Sequence, residues 1–329
     1  MARRVASSFP IAEVAARAGV SIATVSRVVN GVPNKASAAT VLRVQEAVDA
    51  LGYRPISAGR ALRERRSRLV AVLAPNLANP AMAGIAASIE AALRQAGLVM
   101  VLCDTHDDPA IQDDYLAEMR AQRVRAVVMA GVVDSPGLRA WPEEPPLLCV
   151  SRSRPDRTGP FIGIDNYQAG LDAAAFFLER HLPVLGVLHA AIPSSATAAR
   201  VAGFQDGLAR QGNKLAPAQI RTRVGAEHTE IGMREAPALL RRATGPAGIF
   251  CSSDLIAYGA HQVVAERGVP VTLLGFDDNP LNDWLAPWLS SIQVPYAMFG
   301  PAVAAAIERL ERGEELRDII LPHRLISRG

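Results

Sequence analysis

The sequence predicts an α/β protein: a small N-terminal helix-turn-helix headpiece ahead of two lobes of doubly wound parallel sheets. Three observations carry this expectation. Residues 11–29 repeat apolar side chains at three- and four-residue spacing around a single break at Gly19. From Leu69 onward, short apolar runs alternate with helix-length stretches, the pattern of parallel βαβ units. Finally, 329 residues at 50% hydrophobic and 20% charged are too many for one typical domain but form an ordinary soluble composition.

In the headpiece, Ile11, Val14 and Ala15 give the apolar face of a first helix, Ala18-Gly19-Val20 supplies a tight turn, and Val25, Val28 and Val29 restart the period. Ser21 stands at the N-cap of the second helix, and Asn30-Gly31 reads as its stop. Ile22, Ala23, Ser26, Arg27 and Asn30 fall away from the valine face, so they are left to meet a partner such as a DNA major groove. Spacing alone also allows a plain helical hairpin, in which Arg27 is a solvated charge. Pro10 suits a first helical turn, which leaves Ser7 or Ser8 to cap the first helix behind a basic arm. A third helix is expected over 37–51, with Val41, Val44, Val48 and Leu51 on one face and Gly52 ending it.

Charge is divided unevenly. Through Arg68 the chain has 12 Lys+Arg against 4 Asp+Glu, a balance of +8, and the remainder sums to −5. The basic part is where phosphates would be met. Cys103, Cys149 and Cys251 lie in or beside apolar runs without a C-x-x-C pair and read as reduced core residues. The first ten residues lack the apolar core of a signal peptide and no apolar run reaches membrane-spanning length, so a cytoplasmic protein with no membrane partner is expected.

The segment Glu13-Val14-Ala15-Ala16-Arg17-Ala18-Gly19-Val20-Ser21-Ile22-Ala23-Thr24-Val25-Ser26-Arg27-Val28-Val29-Asn30-Gly31 resembles the DNA-binding headpiece of the LacI/GalR family of bacterial transcription regulators. The likeness continues through Leu51-Gly52-Tyr53-Arg54-Pro55 and, more loosely, along nearly the whole chain. It implies a headpiece over 1–54, a hinge or linker over 55–68, and a two-lobed, periplasmic-binding-protein-like effector core over 69–329. Its first lobe would take 69–161 and 292–318, and its second 162–291 and 319–329.

The partners implied are a pseudo-palindromic operator in double-stranded DNA, a small-molecule effector and a second copy of the chain in a homodimer. Repression is the family's commoner mode. Arg27 is the candidate for reading guanine, and Ile22 and Ala23 for contact with thymine methyls. Ser21, Thr24, Asn30 and Tyr53 are candidates for phosphate contacts. Ala58 and Arg60 would belong to a hinge helix entering the minor groove. There the sequence departs from the family, which commonly has leucine at Ala58 as a wedge, and Gly59 weakens a helix by roughly 1 kcal/mol. Ile56 or Leu62 could share the insertion, and the bland alternative is a basic linker over 56–68.

Strands are expected at 69–74, 98–103, 125–130, 146–150, 161–164, 184–189, 220–224, 247–251 and 271–275, with a crossover strand at 290–295. Helices are expected near 81–96, 110–122, 167–180, 197–212, 228–243, 254–267 and 296–311. Ligands of open α/β sheets bind beyond the carboxyl ends of strands. Those ends carry Asn76 and Asn79, Asp104, Asp165, Ser253-Asp254 and Asp277-Asp278, residue types that hold vicinal hydroxyls.

By resemblance, Arg200 and Asp277 take the family's effector-binding arginine and aspartate, beside Phe276. Ser253 stands where sugar-responsive members often have Asn. Asn79-Pro80-Ala81-Met82 lacks the usual aromatics, which favours a small sugar, polyol or sugar acid over a stacked purine. Each carboxylate also reads as a helix cap.

The sequence has no nucleophile elbow, phosphate loop, dinucleotide fingerprint or H-E-x-x-H, and its six histidines are scattered. No enzyme, cofactor or metal is therefore expected. A sugar-transport receptor or a sugar-processing enzyme on the same core are the alternatives.

Overall fold

The computed structural model describes residues 11–29, 36–53, 67–154, 156, 158–191 and 194–328. The chain falls into two compact units that divide between Ser67 and Arg68. The basic arm, Asn30-Gly31, and the hinge segment with Ala58, Gly59 and Arg60 lie outside the described residues.

The first unit contains α1 (Ile11–Ala18), α2 (Ile22–Val29) and α3 (Ala38–Leu51). Gly19 takes φ +64°, which lets the Val20 amide close back onto the Ala15 carbonyl (3.1 Å) and turn the chain between α1 and α2. Ser21 starts α2 as expected: its Oγ accepts from the Thr24 amide at 3.1 Å. Ser37 does the same for α3 through Thr40, and Gly52, at φ +58°, ends it. Val14, Ala15, Ala18, Val25, Val44 and Ala47 form the core. Val41 is 39% exposed and Ala47 takes the buried place the periodicity gave it, because Val44, Ala47, Val48 and Leu51 follow the face turned to α1.

The second unit holds two six-stranded sheets. The first lobe runs β1 (Leu69–Ala74), α4 (Pro80–Gln95), β2 (Val99–Asp104), α5 (Pro109–Ala121), β3 (Ala126–Met129), α6 (Pro136–Arg139), β4 (Leu147–Val150) and β5 (Phe161–Ile164). The second continues as α7 (Asn166–Glu179), β6 (Val184–Leu188), α8 (Ser195–Ala209), β7 (Ile220–Arg221), α9 (His228–Leu240), β8 (Ala247–Cys251), α10 (Asp254–Arg267), β9 (Val271–Asp277), α11 (Asn282–Leu285) and β10 (Ser290–Gln293).

The chain then makes α12 (Tyr296–Glu311), β11 (Ile319–Leu321) and β12 (Arg324–Ile326). Strand order is β11-β5-β4-β3-β1-β2 in the first sheet, all parallel, and β12-β10-β9-β8-β6-β7 in the second, parallel except for β12 against β10. Central strands such as β3 and β8 are buried on both faces, which explains their unbroken apolar runs.

The three crossings fall later than the sequence suggested. β5 still pairs with β4, so the first crossing follows Ile164, not 161. β10 pairs with β9, and α12 returns to the first lobe, where the Gly300 amide donates to Ser88 Oγ on α4 (2.9 Å); that crossing follows Gln293, not 291. β11 pairs with β5 in the first sheet, and only β12 reaches the second, so 319–321 is corrected to the first lobe. An apolar run marks a strand but not its sheet, and each segment here adds one more parallel strand before leaving.

Helices α7 and α8 approach closely because both carry glycine at the contact. A Cβ at Gly170 would run into the Arg200 carbonyl and lie 2.7 Å from the Phe204 amide nitrogen. Gly170→Ala should therefore force the helices apart and lower the second unit's unfolding free energy by about 1–3 kcal/mol. Urea denaturation followed by circular dichroism would measure it, and wild-type stability would show that the contact yields.

Candidate functional site: an inter-lobe cleft and an exposed recognition helix

Parallel strands send their carboxyl ends toward the space between the lobes, and the cleft lies there. It has two connected parts. A narrow inner recess of about 70 Å³ is lined by Arg200, Asp277, Tyr296, Ser194, Thr197 and Ser253 among others. An outer chamber of about 550 Å³ is bordered by Asn76, Asp104, Asp107 and Glu227. Asn79, Met82, Arg152 and His228 line both.

Arg200 anchors the recess. Its Nε donates to Asn166 Oδ1 (2.7 Å) and its Nη1 to the Ser252 carbonyl (3.0 Å), while the guanidinium lies 3.5 Å from the centre of the Phe276 ring. Burial draws Arg200 below its ordinary value, and the facing Asp277 offsets this in part. Burial also raises the Asp277 carboxyl to about 7, against the pull of Arg200. Asp277 sits at φ +107°, an uncommon backbone conformation outside glycine.

The Tyr296 hydroxyl, raised by burial and kept neutral, is enclosed beside Asp277 yet makes no hydrogen bond of regular geometry. Its interaction with the Asp277 carboxyl is the one polar contact it has there, and it is poorly aligned. His228 is pushed down to about 4, chiefly by burial and next by Arg152, so it is neutral and pairs through Nδ1 with Ser253 Oγ at 2.9 Å. Arg152 is held by Asp107 at 2.5 Å. The recess thus brings together a guanidinium, a carboxyl raised toward neutrality, a phenol and hydroxyls.

Of the residues expected to bind effector, Asn79, Met82, Asp104, Arg200, Ser253 and Asp277 line this cleft. Three do not. Asp165 caps α7 by accepting from the Gln168 amide (2.9 Å) and borders a separate cavity of about 260 Å³. Asp254 is 2% exposed and turns into the protein, accepting from Ser291 Oγ, the Asn279 amide and Asn282 Nδ2 at 2.6–2.8 Å. Phe276 is fully buried beneath Arg200 and supports it without lining the recess.

The sequence reading missed Arg152, His228, Ser194, Thr197 and Tyr296. Arg152 follows β4, where inspection of strand ends would have found it. Tyr296 follows Pro295 just past a crossing, and His228 heads a helix with no sequence signal beyond its type.

In the first unit, Ile22, Ala23 and Arg27 are exposed on the side of α2 opposite buried Val25, with Ser26 half-buried on the same helix. Ser21 and Thr24 hydroxyls pair at 2.9 Å at its N-terminus, and Tyr53 packs partly into the core. The three cysteines are free and buried, with Cys149 pushed up to about 12 by burial.

Residues 67–328 match the family described as periplasmic binding proteins and sugar binding domain of LacI family, and residues 10–55 match bacterial regulatory proteins, lacI family. The chain belongs to the LacI family. It is 30% identical to the transcriptional regulator DegA of Bacillus subtilis, over 97% of this chain and 96% of the relative. It is 31% identical to the regulator GntR of Pseudomonas aeruginosa, over 94% and 91%.

Among solved structures, a LacI-family regulator from Silicibacter pomeroyi superposes with TM-score 0.83 at 27% identity over 98% of both chains. The regulator CelR in complex with cellobiose gives 0.72 at 25%, over 97% of this chain and 99% of that one. The lac repressor dimer bound to operator and an anti-inducer gives 0.83 at 23% over 98% of both, a likeness of fold. As a LacI-family member this chain is a DNA-binding transcriptional regulator with a ligand-binding core. Among the described residues, no helix is long and apolar enough to cross a membrane.

Two of the cleft's perturbed groups, Asp277 and His228, act on stability with opposite sign. Asp277 is raised, so its contribution is complete below about pH 4 and is lost as pH rises through about 7. His228 is depressed, so its contribution is present above about pH 6.5 and is lost as pH falls through about 4. In urea denaturation across pH 4–8, Asp277→Asn should remove a decline with rising pH, and His228→Gln a decline with falling pH. Profiles parallel to wild type would mean that both groups are solvated.

Proposed function

We propose that the chain is a cytoplasmic, homodimeric repressor whose operator affinity is changed by a small sugar-like effector in the inter-lobe cleft, and that it catalyses no reaction. In this reading residues 1–54 are the DNA-binding headpiece, 55–68 the hinge and 69–329 the effector core. The observation that carries it is the pairing, in one chain, of a capped α2 with an exposed outer face and a cleft lined by Arg200, Asp277 and the Tyr296 hydroxyl.

Each headpiece of a two-fold dimer would meet one half of a pseudo-palindrome, the halves about one helical turn apart. Arg27 reads guanine, Ile22 and Ala23 touch thymine methyls, and Ser26 lies on the same face. Ser21, Thr24, Asn30 and Tyr53 set register on phosphates, and Ala58 and Arg60 enter the minor groove. Methyl-sized Ala58 makes a weaker wedge than leucine.

The effector class follows from the recess. Arg200 donates, Asp277 accepts or donates according to its proton, and the Tyr296 hydroxyl stands beside that carboxyl, which matches adjacent hydroxyls on a sugar, polyol or sugar acid. Apolar Met82, which lines both parts of the cleft, gives no aromatic platform for a purine. The cellobiose held by CelR accords with a carbohydrate.

Fluorescence anisotropy on a family-like palindrome with a central CG step, against scrambled DNA at physiological salt, tests recognition. A preference of roughly 10³ or more is expected, and equal binding would overturn sequence-specific recognition of that operator. Arg27→Ala should cost about 1–3 kcal/mol of discrimination at one base pair. A panel of aldoses, polyols and aldonates added to the complex should contain a ligand that shifts binding, and Arg200→Met should keep operator affinity and lose that shift. A shift retained in Arg200→Met would place the effector outside the cleft.

A further inference from the structure

The turn that leaves β9 has one side in the cleft and the other on the outer surface. Asp277 and Asp278 both take positive φ, +107° and +52°, so successive carboxylates leave the chain in different directions. Non-glycine residues in sparsely populated regions cost of order 1–3 kcal/mol each and persist only where surroundings impose them. The surroundings here are a buried polar knot. Asp278 accepts from Gln293 Nε2 (2.8 Å) and Arg328 Nη1 (2.7 Å), and its amide donates to Ser291 Oγ at 3.1 Å. The same Ser291 Oγ donates to Asp254, which also holds Asn279 and Asn282.

Arg328 continues outward. Its Nη2 and Nε donate to Asp283 Oδ1 (2.7 and 3.0 Å), and its backbone brackets Ser290 Oγ, donating and accepting at 2.9 Å. Asp278 is 9% exposed, and the Asp283 side chain is 72% exposed. Next to Asp283 stand Trp284, 82% exposed, and Leu285, 74%, with Leu281 one turn earlier. One guanidinium therefore joins a buried carboxylate adjacent to the cleft's Asp277 to a surface carboxylate adjacent to Trp284.

We infer that Arg328 is a positioning residue that couples the effector cleft to the outer ridge of Leu281, Trp284 and Leu285, so that a change at Asp277 alters the ridge. This rests on the reading of the cleft as the effector site and adds to it a route by which that site is heard at a surface. Two features favour transmission over simple bracing. The turn between Asp277 and α11 is only a few residues long, so a rotation at the peptide between Asp277 and Asp278 is not absorbed before Asn282. In addition, Arg328 grips the turn at two points, Asp278 and Asp283, and ties both to the β10–β12 pair, a rigid edge of the second sheet.

The test is a mutant cycle read by hydrogen exchange on the full chain, with no ligand required. The Trp284 and Leu285 amides donate to the Leu281 carbonyl, so their exchange reports opening of α11. Asp277→Asn should change their protection by about twofold or more in the Arg328 background, the size expected of directly coupled residues. In Arg328→Met the same Asp277→Asn substitution should leave them unchanged, while Arg328→Lys should restore part of the effect.

Asp283→Asn removes a surface carboxylate and cuts only the outer half of the link. It should uncouple the two sites in the same way even if Arg328→Met fails to fold. Equal responses to Asp277→Asn in all backgrounds would overturn the inference, as would no response in wild type. Because these readouts use neither DNA nor effector, a failure here leaves the operator and effector-panel results standing. An effector panel without a hit would instead count against the cleft reading alone.

Discussion

Arg200 is a guanidinium withdrawn from most of its water, and its partners come from three separate elements of the second lobe. Asn166 opens α7, Ser252 follows β8, Phe276 lies in β9, and Arg200 itself rides on α8 where Gly170 admits it. A buried cation tolerates this only if its donors are satisfied and a negative group stands near. Asp277 stands near, but burial raises it to about 7, so near neutral pH it is an incomplete counter-ion. The Tyr296 hydroxyl next to it interacts with that carboxyl, but not in regular hydrogen-bond geometry. The floor of the recess therefore sets a satisfied guanidinium against a carboxyl and a phenol that are less well satisfied.

The same geometry makes binding and lobe position one event. Tyr296 begins α12, which packs on α4 in the first lobe, whereas Asp277 ends β9 in the second; a ligand that touches both spans the crossing at 294–295. Ser195 Oγ, at the start of α8, already reaches across to the Ser153 amide at 3.1 Å. Changes in the angle between lobes thus pass directly through residues that also line or border the cleft. The first lobe carries β1, which begins two residues after the division between the two units, so it is the lobe nearest in sequence to the headpiece.

How much of this was legible follows from how local each signal is. The two headpiece turns could be read because Gly19, Ser21, Ser37 and Gly52 act within four residues of themselves. The βαβ rhythm was legible for the same reason. Lobe membership was not, because β5, β10 and β11 look alike in sequence whichever sheet they join.

In the site, Asp254 and Asp277 both follow strands and both are raised by burial, yet one turns inward to Ser291 and the other faces Arg200. Side-chain direction at a strand end depends on backbone torsion, and nothing in one sequence announced φ +107° at a non-glycine residue. Arg152 and Tyr296 needed the first lobe folded beside the second before their roles could be seen.

The division of charge and of core size explains why a modest ligand signal can matter. The first 68 residues carry +8 and the rest −5, so the core contributes no attraction to phosphates and affinity for DNA runs through the basic part. Among the described residues, that part has a three-helix core of valine and alanine, with Val14, Val25 and Val44 the largest side chains fully enclosed. Units of this size bury a small share of their surface and are marginally stable. A coupling of about 1–3 kcal/mol, the usual size for linked sites, is then comparable with what holds the DNA-reading part in order. The far larger ligand-binding core is packed around Phe177, Phe204 and Phe250, whose rings meet edge to face and tilted at 6.1 and 4.7 Å, so its fold rests on much more buried apolar surface than the first unit's.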